Sequence, residues 1–255
     1  MRFEVLASSS KGNAYILDDK QTRILLECGI AHRTLQKLSG FTLSEMSGCL
    51  VSHEHKDHAK CVKDIIGDGI PVYMSEGTAE ALFGEGSSEE AERIATAPAG
   101  PRNDSFLEAV TVIRDREQFN VGSFDVVPFA TYHDAAEPLG FLIRSRADGE
   151  VLAFATDTVN LRYRFPGLNI LAIEANFDKA ILERCEKMPE KVRHRIACTH
   201  MEIDVLCEYL RGLDLTKCRE VHLLHLSDAT SHEGHFINKA RRAVPPWVSV
   251  TASRK

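Results

Sequence analysis

Val51-Ser52-His53-Glu54-His55-Lys56-Asp57-His58 is the stretch that decides how this chain folds. It reads His-x-His-x-Asp-His and follows the short apolar run Cys49-Leu50-Val51. Three imidazoles and a carboxylate fall within six residues. Neutral imidazole and carboxylate are the usual ligands for zinc, manganese and iron. A tight turn after a strand can aim His53 and His55 at one metal and Asp57 and His58 at a second beside it. A polar surface loop has no need of that density of titratable groups.

The motif resembles the signature of the metallo-β-lactamase superfamily. The resemblance implies an α+β fold, a four-layer αββα sandwich with metals at one edge, where loops from both sheets meet. Members hydrolyse β-lactams, thioesters, lactones and phosphodiesters, and some perform redox chemistry. The motif therefore leaves the reaction open, and the rest of the site lies downstream.

At 255 residues the chain suits one large hydrolase domain, 1–255, with length for a substantial core. Its composition, 44% hydrophobic and 27% charged, is that of an ordinary globular protein. No run of eighteen apolar residues marks a membrane span. The start, Met1-Arg2-Phe3-Glu4-Val5-Leu6, reads as a strand and not a signal peptide. Seven cysteines, at 28, 49, 61, 185, 198, 207 and 218, form no C-x-x-C pair. That set reads as reduced thiols, and the expected compartment is cytoplasmic. A net charge of −6 argues against a general nucleic-acid coating protein but not against an enzyme that grips phosphates locally. The basic clusters Arg162-Tyr163-Arg164, Lys191–Arg195 and Arg241-Arg242 read as solvated surface.

Short apolar runs separated by turn residues predict strands at Phe3–Ala7, Ala14–Leu17, Ile24–Cys28, Cys49–Ser52 and Pro71–Met74. Helical spacing predicts helices over Ala31–Leu38 and Ala59–Ile66, and a third through Phe83 capped by Ser75. Residues 84–104, rich in Gly, Ser, Glu and Pro, read as a loop. Further strands are expected at Val110–Ile113, Phe124–Thr131, Gly140–Arg144, Val151–Ala155, Ile170–Glu174, Glu220–Leu226 and Val248–Thr251. Helices are expected at Phe177–Cys185, Ile203–Leu210 and His232–Arg242. Two facing sheets with outer helices accommodate this order, though periodicity alone admits other α/β folds.

Remaining metal ligands should sit at strand ends, where a rigid sheet fixes them. His133, Asp157 and His225 each end an apolar run. By the resemblance, His53, His55 and His133 hold one metal, Asp57, His58 and His225 a second, and Asp157 bridges them. Two divalent ions, zinc or manganese, are thereby implied. His222, three positions before His225 in a strand, is expected to face the other side. His32, His194, His232 and His235 read as surface or capping residues. In Leu26-Glu27-Cys28-Gly29 a glutamate stands where the superfamily usually carries an aspartate that braces the metal-binding loop.

Glu174, ending the run Asn169-Ile-Leu-Ala-Ile, and His200, read as lying past another strand in Ile196-Ala-Cys-Thr-His200, resemble a dyad of tRNase Z and its phosphodiesterase relatives. Ser8-Ser-Ser-Lys-Gly-Asn13, His133-Asp134-Ala135, Thr156-Asp157-Thr158, Ile173-Glu174-Ala-Asn176 and His225-Leu-Ser227 resemble the YycJ/WalJ-like subgroup, from about residue 6 to 230. That subgroup is regarded as DNA exonucleases acting from the 5′ end. Phe177 and Thr199 depart from it, where histidine and glycine are common. The 8–13 stretch reads equally as a polar hairpin turn or a phosphate-contacting loop.

The expected function is thus a dinuclear metal-dependent phosphodiesterase, a 5′-to-3′ DNA exonuclease in which a hydroxide shared by the metals attacks phosphorus. Asp57, Glu174 and His200 are the expected catalytic residues, with His200 as general acid. Ser10, Asn13 and Asn176 are the candidate substrate-binding residues. The expected partner is DNA, with no membrane and an open oligomeric state. Two alternatives stand beside this: a thioester or lactone hydrolase using the same metals, and a non-catalytic metal-bound interaction subunit.

Overall fold

The computed structural model describes residues 1–84 and 109–252. Two mixed sheets lie face to face among them. The first runs, in spatial and chain order, β1 (Arg2–Ser9), β2 (Gly12–Asp18), β3 (Arg23–Leu26), β4 (Cys49–Leu50), β5 (Val72–Met74) and β6 (Val110–Val112). The second runs in reverse order from β13 (Ser249–Ala252) through β12 (Glu220–Leu224), β11 (Ile170–Glu174), β10 (Val151–Ala155), β9 (Leu139–Ser145) and β8 (Phe124–Ala130) to β7 (Phe119–Val121).

Alternation along each strand explains the layers. On β2, Tyr15 and Leu17 face the second sheet, while Ala14 and Ile16 face outward. On β11, Ile170 and Ala172 face inward, and Leu171 and Ile173 outward. Both faces of these strands are buried, so they read as continuous apolar runs rather than clean alternation. Phe3, Tyr15, Phe124, Phe141 and Phe154 build the core between the sheets. Outside the first sheet pack α1 (His32–Leu38), α2 (Lys56–Ala59), α3 (Val62–Gly67) and α4 (Glu76–Phe83), through Leu35, Ala59, Ile65 and Phe83. Outside the second pack α7 (Ile203–Arg211) and α8 (Glu233–Arg241), through Leu206, Leu210 and Phe236. Helix, sheet, sheet, helix is the four-layer αββα sandwich.

Two further helices, α5 (Lys179–Glu183) and α6 (Glu190–Thr199), precede α7. The helix expected over Phe177–Cys185 is shorter because Phe177 is bridged to Glu202 and Asp178 caps the helix, accepting from the Ala180 and Ile181 N–H groups. Ser75 caps α4 as expected. Helix α6 and strand β7 had no counterpart among the expected elements. His200 consequently follows a helix, not a strand. The loop expected over 84–104 lies, beyond Gly84, outside the described residues. No helix among those described is long and apolar enough to cross a membrane.

Candidate metal centre

Strand direction gathers the site at one edge. β1 and β3 both run antiparallel to β2, and β3, β4 and β5 are parallel. In the second sheet β8 and β10 both run antiparallel to β9, and β10, β11 and β12 are parallel. The chain therefore leaves β1, β3, β4, β8, β10, β11 and β12 at the functional edge, carrying Ser8, Glu27, His53, His133, Asp157, Glu174 and His225. Loops at the C-terminal ends of parallel strands can differ in chemistry while the sheet holds their spacing. The two sheets are stitched there: the His225 N–H donates to Ser8 Oγ at 2.9 Å.

Two donor groups form around one carboxylate. The first is His53, His55, His133 and Asp157, and the second is Asp57, His58, Asp157 and His225. In the first, His53 Nε2 and His133 Nε2 each lie 3.1 Å from His55 Nδ1. Asp157 Oδ2 stands 3.5 Å from His133 Nε2 and 3.4 Å from His58 Nε2, so it serves both groups. In the second, Asp57 Oδ2 is 3.2 Å from His225 Nε2 and 3.5 Å from His58 Nε2. Donors about 2.0–2.2 Å from a tetrahedral ion lie roughly 3.3–3.6 Å from one another, which is close to this spacing.

Outer partners set the imidazoles. His133 Nδ1 donates to the Thr199 carbonyl at 2.9 Å, leaving Nε2 as the lone-pair donor toward the centre. Ser52 Oγ occupies His53 Nδ1 at 2.8 Å and leaves Nε2 for the centre. Glu27 is buried, accepts from the Ser52 N–H at 3.3 Å and stands 3.6 Å from His58 Nδ1. The extra methylene relative to aspartate still reaches the loop. Gly29 fits only as glycine, since a Cβ there would lie 1.7 Å from the Asp57 carbonyl oxygen.

The charge balance at this edge is negative. Burial is the largest single influence and opposes protonation of His58 and His225, yet the surrounding carboxylates, Asp157 foremost, together override it in both. Glu27 adds to the pull on His58, and His225 is pushed up to about 10. Asp57 is held well below the usual carboxylate range: burial would raise it, but the imidazoles of His225 and His58 prevail. His53 and His55 shift down, chiefly through burial. Buried carboxylates that draw protons onto their neighbours would draw a divalent cation by the same field. Glu27, Asp157 and His225 also hold left-handed backbone conformations, φ 63°, 44° and 54°. Such strain costs roughly 1–3 kcal/mol per residue and gathers at functional sites.

Glu174 and His200 lie beside both groups. Glu174 is fully buried, and its Oε2 accepts from the Thr158 N–H at 2.8 Å and the Met201 N–H at 3.1 Å. Its Oε1 lies 2.6 Å from His200 Nδ1 and 3.2 Å from His225 Nδ1. Glu174 could join a third donor group with Asp157, His200 and His225, but its oxygens are already committed. The His200 ring stacks on His225 at 5.3 Å and retains 15% exposure.

Of the candidate substrate contacts, only Ser10 is exposed. Asn13 is buried, donating to the Ser9 and Asp57 carbonyls, with His58 Nε2 3.1 Å away. Asn176 is buried too and donates to the His225 carbonyl at 3.0 Å. Both amides serve the site's own framework. Asp134, not singled out from sequence, lies 3.3 Å from His133 Nε2 and accepts from Arg195. Its adjacency to His133 was the available signal.

His222 points away from this edge, 2.9 Å from Glu220 and against the Phe3 ring. His225→Ala should therefore disable the protein, while His222→Ala should keep most activity. Inactivity of the His222 variant in a matched assay would show that the strand's facing is misread.

A family model described as the β-lactamase superfamily domain matches residues 22–226. An exodeoxyribonuclease YycJ of Bacillus anthracis is 27% identical over 243 residues, covering 89% of this chain and 83% of that one. An exodeoxyribonuclease WalJ of Streptococcus pneumoniae D39 is 24% identical over 236 residues, covering 89% and 81%. The crystal structure of human tRNase Z, short form, superposes with a TM-score of 0.63 at 15% identity, covering 100% of this chain and 97% of that one. With its two facing sheets and clustered histidines and aspartates, the chain belongs to the metallo-β-lactamase superfamily.

Proposed function

We propose that this protein is a dinuclear metal-dependent phosphodiesterase that removes nucleotides from a DNA end, with 5′-to-3′ polarity. The observation that carries the phosphodiesterase reading is His200, partly open to solvent, braced by buried Glu174 and stacked against two donor groups that share Asp157. The exodeoxyribonuclease relatives support the choice of DNA. His53, His55, His133 and Asp157 would hold one ion, and Asp57, His58, His225 and Asp157 the other. Such a pair supplies Lewis acidity and a nucleophile at neutral pH.

The chain's own residues do the rest. Asn13 and Asn176 fix the loops that carry His58 and His225. Glu174 takes no part in contacting substrate, being fully buried, and positions His200 through Nδ1. That leaves His200 Nε2 to deliver a proton to the leaving oxygen. Ser10 stands exposed at the β1–β2 turn, where it can meet a phosphate.

The test is digestion of end-labelled linear DNA beside a covalently closed circle, a thioester and a lactone. Short nucleotides released from the 5′ end, with the circle intact, are expected. Rapid cutting of circles removes the exonuclease assignment, and efficient thioester cleavage beside inert DNA removes the phosphodiesterase one.

A further inference from the structure

We propose that Tyr132 and Arg162 form a stacking subsite for an unpaired nucleobase at the rim of the metal centre, an inference that rests on the nucleic-acid reading above. Tyr132 immediately precedes His133 and is 46% exposed, although it is a large aromatic. Its backbone is tied on both sides. The Tyr132 N–H donates to Thr158 Oγ1 at 3.0 Å, and its carbonyl accepts from the Val159 N–H at 3.0 Å. Thr158 itself follows Asp157 and is held by Glu174. The ring thus projects from a loop tied by backbone hydrogen bonds to the strand end that carries Asp157.

The Arg162 guanidinium stands over the ring, 5.2 Å from its centroid. Arg195, which reaches the same rim, is committed to Asp134. Among the described residues no carboxylate makes an ion pair with Arg162. Its cation is left for a ligand.

An anchored, exposed aromatic beside a planar cation matches how single strands are held. A base stacks on the ring, and arginine adds cation–π attraction or a phosphate contact. Any base has a π-face, so such a subsite tolerates sequence but demands an unstacked base. Bases inside a duplex have both faces covered. The subsite therefore accepts a single-stranded or frayed end and sets the nucleotide beside the centre.

The test uses metal-loaded wild type, Tyr132→Ala and Tyr132→Phe on three substrates: a single-stranded oligonucleotide, the same strand with an abasic terminal unit, and bis(4-nitrophenyl) phosphate. Tyr132→Ala should raise KM for the intact strand about five- to hundredfold, with kcat changing far less. Tyr132→Phe should restore it. On the abasic strand wild type and Tyr132→Ala should have the same KM. Fluorescence anisotropy with a slowly hydrolysed phosphorothioate strand should give the same order of Kd. Equal losses on intact and abasic strands would mean that Tyr132 merely supports His133, and would overturn the proposal, as would an unchanged KM on the intact strand. A wild type that cleaves the nitrophenyl ester but neither oligonucleotide would overturn the nucleic-acid reading itself, and the subsite with it.

Discussion

Asp157→Asn is expected to remove nearly all hydrolysis and to lower metal content below two ions per chain. One Asp157 oxygen faces His133 and His58, and the other lies 3.1 Å from His225 Nδ1. Asparagine keeps the shape but removes the charge that both donor groups share. It also tolerates the left-handed conformation at this position, φ 44°, so the fold should persist. Losing a supporting partner outside the ligand set typically costs ~10–100-fold. Removing the shared ligand should cost more than that. Elemental analysis and turnover on one sample, with unchanged far-ultraviolet circular dichroism, check the result. Full activity with full metal content would refute the shared role of Asp157.

His200→Ala should keep both metals yet lose ~10²–10⁴-fold in turnover, the usual cost of a lost general acid. Glu174→Gln should give a similar loss by a different route. The oxygen of the introduced amide can still accept from the Thr158 and Met201 N–H groups, so the loop connections survive. The amide N–H, however, would donate to His200 Nδ1 and force the proton onto Nε2 in the neutral ring, with no carboxylate to stabilise the charged one. The double variant should be little worse than either single one, because residues acting as a unit are not additive. Multiplicative losses in steady-state kinetics would separate the two residues. Loss of metal in His200→Ala would make His200 a ligand rather than an acid.

Much of this arrangement was legible in the sequence, because the site residues occupy strand ends. Apolar runs such as Leu152–Ala155 and Ile170–Ile173 are buried on both faces, so their ends stand out against Asp157 and Glu174. His222 lies within β12, away from the site, whereas His225 stands past the strand's end in a left-handed turn, so alternation along one strand was not the right ground for separating them. Helix α6 did not show. Of its residues only Thr199 is buried, so no apolar stripe marks it, and Ile196-Ala-Cys read as a strand. Strand β7 is three residues at a sheet margin, too short to alternate. The inward direction of Asn13 and Asn176 was equally hidden, because an asparagine beside turn residues reads the same whether it meets solvent or backbone.

The proposed reaction depends on metal, so the decisive measurement is metal content of the wild-type protein set against its action on end-labelled linear DNA, before and after chelation. The donor geometry predicts close to two divalent ions per chain, loss of digestion when they are removed, and recovery on adding back zinc or manganese. A protein fully active on DNA with no bound or added divalent metal would contradict it.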